Sequence, residues 1–185
     1  RNIHRLQLNL TDMNNDVQAL TKQAVDLMRS DKHQDAVAIY KRILLIDRNH
    51  VESWSNLGIA LRALRKHSGA LACYRKVMML TGGEWTPGFH SNFSNLLNDL
   101  GQHKEALQHS KIATKGAPDD KSIQLNHALL LRDMKRFPDS MKEFDALVAD
   151  APDDARLQWN RAFTQLYTGL SQDAWDAFEW RWDAK

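Results

Sequence analysis

The sequence holds little that would interrupt or crosslink a helical chain. Its 185 residues include one cysteine, four prolines and eight glycines. The single cysteine, Cys73, cannot form an internal disulfide, which fits a protein of the reducing cytoplasm. The glycines and prolines fall mostly between segments whose apolar residues follow helical spacing, and no stretch alternates with period two. The sequence therefore predicts an all-α fold.

Long apolar runs and an excess of one charge are also missing. The longest aliphatic runs, at 43–46 and 77–80, are far too short to cross a bilayer. Lys and Arg number 25 against 23 Asp and Glu, and the two signs are interspersed. The sequence has no basic stripe interleaved with aromatic residues, which is the pattern typical of nucleic-acid binding. We expect a soluble, cytoplasmic protein that binds neither membranes nor nucleic acid.

What the sequence does contain is an internal repeat. Five units align at intervals of 34 residues, with two extra residues in the loop around Gly82. The units span about 17–50, 51–86, 87–120, 121–154 and 155–185, after an entry segment at 1–16. A period of this length is typical of architectures in which each unit stacks on the next. We expect the entry segment either to cap the first unit or to pair with another chain.

Small and aromatic residues recur at fixed places within the units. In unit two, Gly58 and Ala70 allow two helices to approach closely, and Tyr74 fills the remaining space. Unit one repeats this pattern with Ala36 and Tyr40. The pattern resembles the tetratricopeptide repeat over nearly the whole chain after the entry segment. The resemblance implies an all-α, right-handed superhelical solenoid of about five helix–turn–helix repeats.

Units four and five depart from this pattern. His127 and Arg161 stand where an apolar packing residue is expected, and each has a glutamine three positions earlier. We expect Leu125 and Trp159 to take over the packing through a small rotation of their helices.

Recurring histidines raise the possibility of a metal site, which the spacing does not favour. His33, His67 and His103 occupy the turn between the two helices of units one to three, a whole repeat apart, and none has a second ligand at i+3 or i+4. We interpret their rings as covers for the turns. Nucleophile–base arrangements, glycine-rich phosphate loops and paired catalytic carboxylates are not recognisable either. The sequence predicts no catalytic residue, no metal site and no cofactor in this chain.

Asparagine recurs at position six of the first helix in four units, although it is a mediocre helix former. These residues, which we call the asparagine ladder, are Asn56, Asn92, Asn126 and Asn160. First helices line the concave surface in the family that the repeats resemble, so the ladder would follow a groove. An amide can pair with both the C=O and the N–H of an extended peptide. The alternative is that each amide bonds to a neighbouring turn and fixes the stacking.

Further polar residues accompany the ladder. Asn95 widens the polar patch in unit three, and Asp99 and Asp133 lie one position from the groove edge. The two aspartates could select basic or hydroxyl side chains in a bound peptide, or they could simply be solvated. The predicted peptide-binding residues are therefore the ladder together with Asn95, Asp99 and Asp133.

The ladder looks like the recognition arm of O-GlcNAc transferase, whose repeats hold acceptor polypeptides through asparagines at this position. The segment SQDAWDAFEWRW at 171–182 is similar to the last repeat of bacterial tetratricopeptide glycosyltransferases, where such a run leads into the catalytic domain. Enzymes of this type include ones that glycosylate flagellins. The resemblance implies that the chain recognises an acceptor protein, such as flagellin, for a bacterial protein O-glycosyltransferase.

The same resemblance implies a catalytic domain C-terminal to Lys185, where the nucleotide-sugar site would lie. Trp180 and Trp182 would then contact that domain, or they pack internally. The main alternative is a free-standing adaptor or assembly scaffold with no enzyme attached, and a third is self-association through the ends of the array. A co-chaperone clamp for a C-terminal carboxylate is excluded, because its lysine and asparagine are missing from the first helices concerned.

Overall fold

The computed structural model describes residues 2–169, and their side chains from residue 15 onward. The described residues divide into two compact units, residues 2–85 and residues 86–169, which we call the first and second units. The five shorter units of the sequence alignment are called repeats from here on. Within the described residues every regular element is an α-helix, so the all-α repeat fold is confirmed. Trp180, Trp182 and the run at 171–182 lie outside the described residues.

The helices come in pairs. In the first unit they are α1 (Asn2–Arg29), α2 (His33–Ile46), α3 (Val51–Ala63) and α4 (His67–Thr81). In the second unit they are α5 (Pro87–Asp99), α6 (His103–Gly116), α7 (Lys121–Asp133), α8 (Phe137–Asp150) and α9 (Ala155–Leu166). The odd-numbered helices are the first helices of the repeats, and the even-numbered ones are the second helices. Residues 2–16 of the entry segment form the N-terminal half of α1, whereas a capping or pairing role for this segment stays a prediction.

Side-chain caps mark the starts of the first helices from α3 onward. Thr86 accepts a hydrogen bond from the Phe89 backbone N–H, and Asp154 accepts one from Leu157. Asp120 and His50 cap α7 and α3 in the same way, whereas the second helices begin without a side-chain cap. These caps satisfy backbone donors that the helix itself leaves unpaired. The first helices are thus fixed individually at their N-termini.

The turn inside each of the first four repeats closes on a left-handed residue. Asp31, Arg65, Gly101 and Lys135 have φ angles of 55°, 59°, 75° and 60°. The next residue after each of them donates its backbone N–H to the carbonyl of a leucine five residues before that donor. In the second repeat, for example, Lys66 donates to Leu61 at 2.8 Å. This is the bond of a Schellman motif, for which glycine is the usual residue. Only the third repeat has glycine there, so the other three turns carry backbone strain.

The two helices of a repeat meet through small residues beside a large ring. A Cβ added at Gly58 would lie 3.2 Å from the Tyr74 ring, and Ala36 and Ala70 are fully buried. Tyr40, Tyr74 and Phe144 are the largest fully buried side chains of the described core. Burial raises the pKa of the Tyr74 hydroxyl. The packing predicted from the repeat pattern is therefore present in both units.

The third repeat replaces this aromatic ring by Ser110, and His127 of the next repeat compensates. The Ser110 Oγ and His127 Nδ1 atoms are 2.8 Å apart, and both side chains are buried. Burial lowers the pKa of the His127 imidazole, which favours the neutral ring. A histidine can thus replace the expected apolar residue at position 127, because Ser110 provides it with a hydrogen-bond partner across the α6–α7 contact.

The other departures are also explained by polar contacts. Arg161 donates from Nε to Asp145 Oδ1 at 2.6 Å, which ties α9 to α8. Gln158 donates to the Pro152 carbonyl at 2.9 Å, in the same way as the Trp54 indole donates to the carbonyl of Arg48. Gln124 makes the equivalent bond to Pro118. Gln158, Trp54 and Gln124 thus each hold the loop that precedes their own helix.

The expected substitutes for the missing apolar contacts behave differently from each other. Leu125 lies in a buried cluster with Phe144, Leu147 and Leu157, as expected. Trp159 instead is half-buried and stacks on Phe163, with ring centroids 5.3 Å apart. Helix α9 therefore presents an aromatic surface that the repeat pattern did not predict.

Replacing a strained turn residue by glycine should stabilise the fold. Arg65→Gly relieves roughly 1–2 kcal/mol of left-handed strain and loses roughly 0.5–1 kcal/mol to the greater freedom of unfolded glycine. We expect the unfolding free energy to rise by about 0.5–1 kcal/mol in urea titrations. The matched control is Arg75→Gly in the middle of α4, which should lower it by about 1 kcal/mol. Destabilisation by both variants would contradict the strain assigned to the turn.

Candidate functional site

Two ladder asparagines, Asn92 and Asn126, lie on neighbouring first helices of the second unit. Helices α5 and α7 pack directly on each other. The Asn126 amide donates from Nδ2 to Ser91 Oγ at 3.0 Å, which sets it beside the residue that precedes Asn92. Neighbouring packed helices are roughly 8–10 Å apart, and an extended peptide advances roughly 3.3 Å per residue. One step from Asn92 to Asn126 therefore corresponds to about three residues of an extended chain.

The amides differ in how far the protein already uses them. Asn56, Asn92, Asn95 and Asn126 are half-buried. In the described part of the chain we find no hydrogen bond to the side chains of Asn56, Asn92 and Asn95, and none to the Oδ1 atom of Asn126. In the second unit, the Asn92 amide and the side-chain Oδ1 atom of Asn126 can therefore still form hydrogen bonds with a bound chain. The Asn56 amide can do the same, but it lies on α3 in the first unit.

Asn160 is placed differently, because both polar atoms of its amide are engaged. Its side chain is buried, with 8 % of its surface exposed. The Oδ1 atom accepts from the Arg132 guanidinium at 3.0 Å, and Nδ2 donates to the Arg156 carbonyl at 2.8 Å. The bond from Arg132 joins α9 to α7, and the two contacts together favour the bracing interpretation for Asn160. Binding of a peptide by Asn160 stays a prediction.

The acidic residues lie at the C-terminal ends of the first helices. Asp133 is exposed, and its Oδ2 atom accepts from the Asn98 amide at 2.8 Å. The Asn98 Oδ1 atom in turn lies 2.9 Å from His103 Nδ1, so α5, α6 and α7 are linked by one chain of polar contacts. Asp99 is half-buried at the last residue of α5. Selection of basic or hydroxyl side chains by either aspartate stays a prediction.

An aromatic stripe borders the polar residues on α9. Trp159, Phe163 and Tyr167 follow one another at intervals of four residues, and Tyr167 stacks on Phe137 with centroids 5.1 Å apart. The Arg132 guanidinium lies 5.4 Å from the centre of the Phe163 ring, within the range of a cation–π contact. This four-residue interval is visible in the sequence, but the repeat alignment concerns the positions that pack inside each repeat and does not include the stripe.

A small pocket opens beside this stripe, with a volume of about 240 Å³. It is lined by Arg132, Asp133, Lys135, Phe137, Phe163 and Tyr167. Rings form part of its wall, and groups of both charges surround it. The pocket has the chemistry to accept one polar or aromatic side chain of a bound chain.

Other kinds of site find little support in the described residues. There, no group of three or more potential metal ligands comes together. Burial raises the pKa of the Cys73 thiol to about 11, so this buried cysteine is protonated and a poor nucleophile. None of the described helices is long and apolar enough to cross a membrane.

Comparison with known proteins supports the repeat assignment. Residues 21–77 match the family model described as tetratricopeptide repeat. This segment covers the end of α1, then α2 and α3, and most of α4. The match assigns the tetratricopeptide repeat to this segment of the chain. No curated protein sequence matches the chain significantly.

Several solved structures share the fold. MamA from Desulfovibrio magneticus RS-1 is 17 % identical with a TM-score of 0.68, over 93 % of this chain and 96 % of that one. YrrB, described as a TPR protein with an unusual peptide-binding site, is 17 % identical with a TM-score of 0.62, over 96 % and 91 %. O-GlcNAc transferase of Thermobaculum terrenum is 18 % identical with a TM-score of 0.64, but only 26 % of that chain is covered against 75 % of this one. At such identities the likeness shows the fold alone.

The contrast between Asn160 and Asn92 can be tested by stability. Asn160→Ala removes the partner of the Arg132 guanidinium in a buried place, which should cost roughly 1–3 kcal/mol of unfolding free energy. Asn92→Ala removes an amide without an internal partner, so its effect should stay within about 0.5 kcal/mol. Urea denaturation of both variants measures the difference. Equal losses in the two variants would mean that Asn92 also braces the fold.

Proposed function

We propose that the first helices of the second unit bind an extended acceptor polypeptide through its backbone. The observation that carries the proposal is the placement of Asn92 and Asn126 on adjacent helices, where the Asn92 amide and the Asn126 Oδ1 atom have no hydrogen bond within the described residues. An amide that both donates and accepts can bond a peptide group without reading its side chain. Asn95, one turn further along α5, extends the same polar surface.

Preference among acceptors would come from the margins of this surface. The pocket beside the aromatic stripe offers rings and both signs of charge to one side chain of the bound polypeptide. Asp133 keeps an exposed carboxylate although it already accepts one bond from Asn98, so it can still attract a basic or hydroxyl group. The acceptor backbone would thus be held by asparagines, while the ends of α7 and α9 distinguish its side chains.

We further propose that the chain is the acceptor-recognition part of a bacterial protein O-glycosyltransferase. The support is the likeness of residues 171–182 to the last repeat of such enzymes, together with the fold shared with the Thermobaculum terrenum transferase. The catalytic domain would follow residue 185, and Trp180 and Trp182 would contact it. Flagellin is the proposed acceptor, and the cytoplasm the proposed location.

A free-standing adaptor is the second candidate, and the DNA sequence downstream of the Lys185 codon separates the two. An open reading frame that encodes a glycosyltransferase domain is expected. An immediate stop codon would refute the transferase proposal and leave polypeptide binding intact. If the reading frame continues into such a domain, the purified longer protein should transfer sugar to flagellin, whereas the 185-residue chain alone should not.

Removing the Asn92 and Asn126 amides should weaken acceptor binding more than folding. In the double variant Asn92→Ala/Asn126→Ala, the loss of two or three net hydrogen bonds should cost roughly 1–4 kcal/mol, or about five-fold to several-hundred-fold in affinity. Alanine is the better helix former, which offsets part of the loss of the Ser91 contact. Fluorescence anisotropy with the tightest-binding peptide from an overlapping flagellin set measures the affinity.

Two single variants serve as matched controls. Ser91→Ala removes the internal partner of Asn126 but keeps both ladder amides, so it should lower stability slightly and change affinity less than about twofold. Gln108→Ala removes an exposed amide from α6, in the same repeat as Asn92, and should change neither. A double variant that melts earlier but binds as well as the original chain would show that the asparagines are structural braces.

A further inference from the structure

A second surface, which is not lined by any of the ladder asparagines, lies on the first unit. Helices α2 and α4 both pack on α3 and leave a groove of about 610 Å³ over it. Leu44 and Leu45 of α2 contribute to the wall, and Trp54 and Leu57 of α3 complete the apolar lining. Trp54 is held in place by the bond from its indole to the Arg48 carbonyl at 2.9 Å. The groove therefore has a fixed apolar floor.

The groove is open to solvent at an apolar rim. Leu45 is 79 % exposed, and Met79, one turn beyond Lys76 on α4, is 76 % exposed. Sites for small molecules enclose most of their ligand's surface. An open groove with exposed apolar side chains at its edge instead suits the side chains of another polypeptide, laid along it as in helix-in-groove recognition.

The charged side chains that line the groove are all cations. Lys41, Arg48 and Lys76 line it, and no acidic residue does. Helix α4 contains no acidic residue, and the carboxylate nearest the end of α2, Asp47, accepts a bond from the Asn49 backbone N–H at 2.9 Å. A neutral or basic partner would leave these three cations without complementary groups, whereas an acidic partner would meet them on both walls.

We propose that this groove is a docking site for an acidic protein segment with large apolar side chains, separate from the face that holds the acceptor. The leucine or aromatic side chains of the partner would enter between α2 and α4 and cover Leu45. Its carboxylates would lie against Lys41 and Arg48 on one side and Lys76 on the other. The proposal concerns a different unit and different residues, so it holds or fails independently of the acceptor site.

The test is a selection of 12-residue peptides from a random library on the complete 185-residue chain, followed by counter-selection on Leu45→Glu. Because Leu45 is exposed, this variant should keep the helical circular dichroism and melting temperature of the original chain. Peptides that bind the chain but not the variant should be rich in Asp or Glu and in Leu, Phe or Trp. Their affinity should fall about tenfold in Leu45→Glu, and it should weaken as salt is raised.

Matched variants on α6 show whether the effect belongs to the groove. Ile112→Glu places the same charge at a half-exposed apolar residue in the second unit, and Lys104→Glu matches Lys41→Glu. Both α6 variants should bind the selected peptides within about twofold of the original chain, whereas Lys41→Glu should bind several-fold more weakly. Equal losses in Lys104→Glu and Lys41→Glu would overturn the assignment.

Three further results would overturn the proposal. One is that no peptide depends on Leu45, and another is that the dependent peptides are neutral or basic. The third comes from sedimentation of the chain alone. If it forms a dimer that Leu45→Glu dissociates and Ile112→Glu does not, the groove holds a second copy and not an acidic partner.

Discussion

The close approach of the two helices within each repeat is the constraint on which the rest of the structure depends. At Gly58 there is just enough space for the Tyr74 ring, since an added Cβ would lie 3.2 Å from it. Ala36 and Ala70 are fully buried where the same approach is made from the opposite helix. Packed interiors tolerate little change in volume. This contact fixes how each first helix is rotated, and so which of its residues face away from the partner helix.

Where the constraint is relaxed, polar contacts take its place. The pair Ser110 and His127 replaces an aromatic ring and an aliphatic residue, and Arg161 reaches Asp145 on the neighbouring helix. Buried polar groups are tolerated only when they are hydrogen-bonded, as Ser110 and His127 are. The Arg161–Asp145 pair lies at the surface, where water meets the rest of its hydrogen-bonding needs. The sequence marked these positions as departures from the repeat. It could not reveal their partners, because the partners belong to other helices.

Much of the fold could be predicted from the sequence, and less of the site. Helical periodicity and the 34-residue interval predicted the all-α repeat fold, which the structure confirms, because they follow from the geometry of a single repeat. The asparagines could be located in the same way. Their different environments could not, since the bond from Asn126 to Ser91 spans 35 residues and that from Arg132 to Asn160 spans 28. The repeat pattern does not predict the aromatic stripe of α9, because the residues of the stripe do not occupy the positions that define the repeat.

The central claim is that the Asn92 amide holds the backbone of a bound polypeptide, and a double-mutant cycle with backbone esters tests it most directly. Replacing one peptide N–H of the bound chain by an ester oxygen removes a donor without changing any side chain. At the residue that faces Asn92, the ester should weaken binding to the original protein by about 0.5–1.5 kcal/mol and have no effect on Asn92→Ala. Esters at other residues should act equally on both proteins. If no ester along the peptide distinguishes the original protein from Asn92→Ala, the backbone is not what Asn92 recognises.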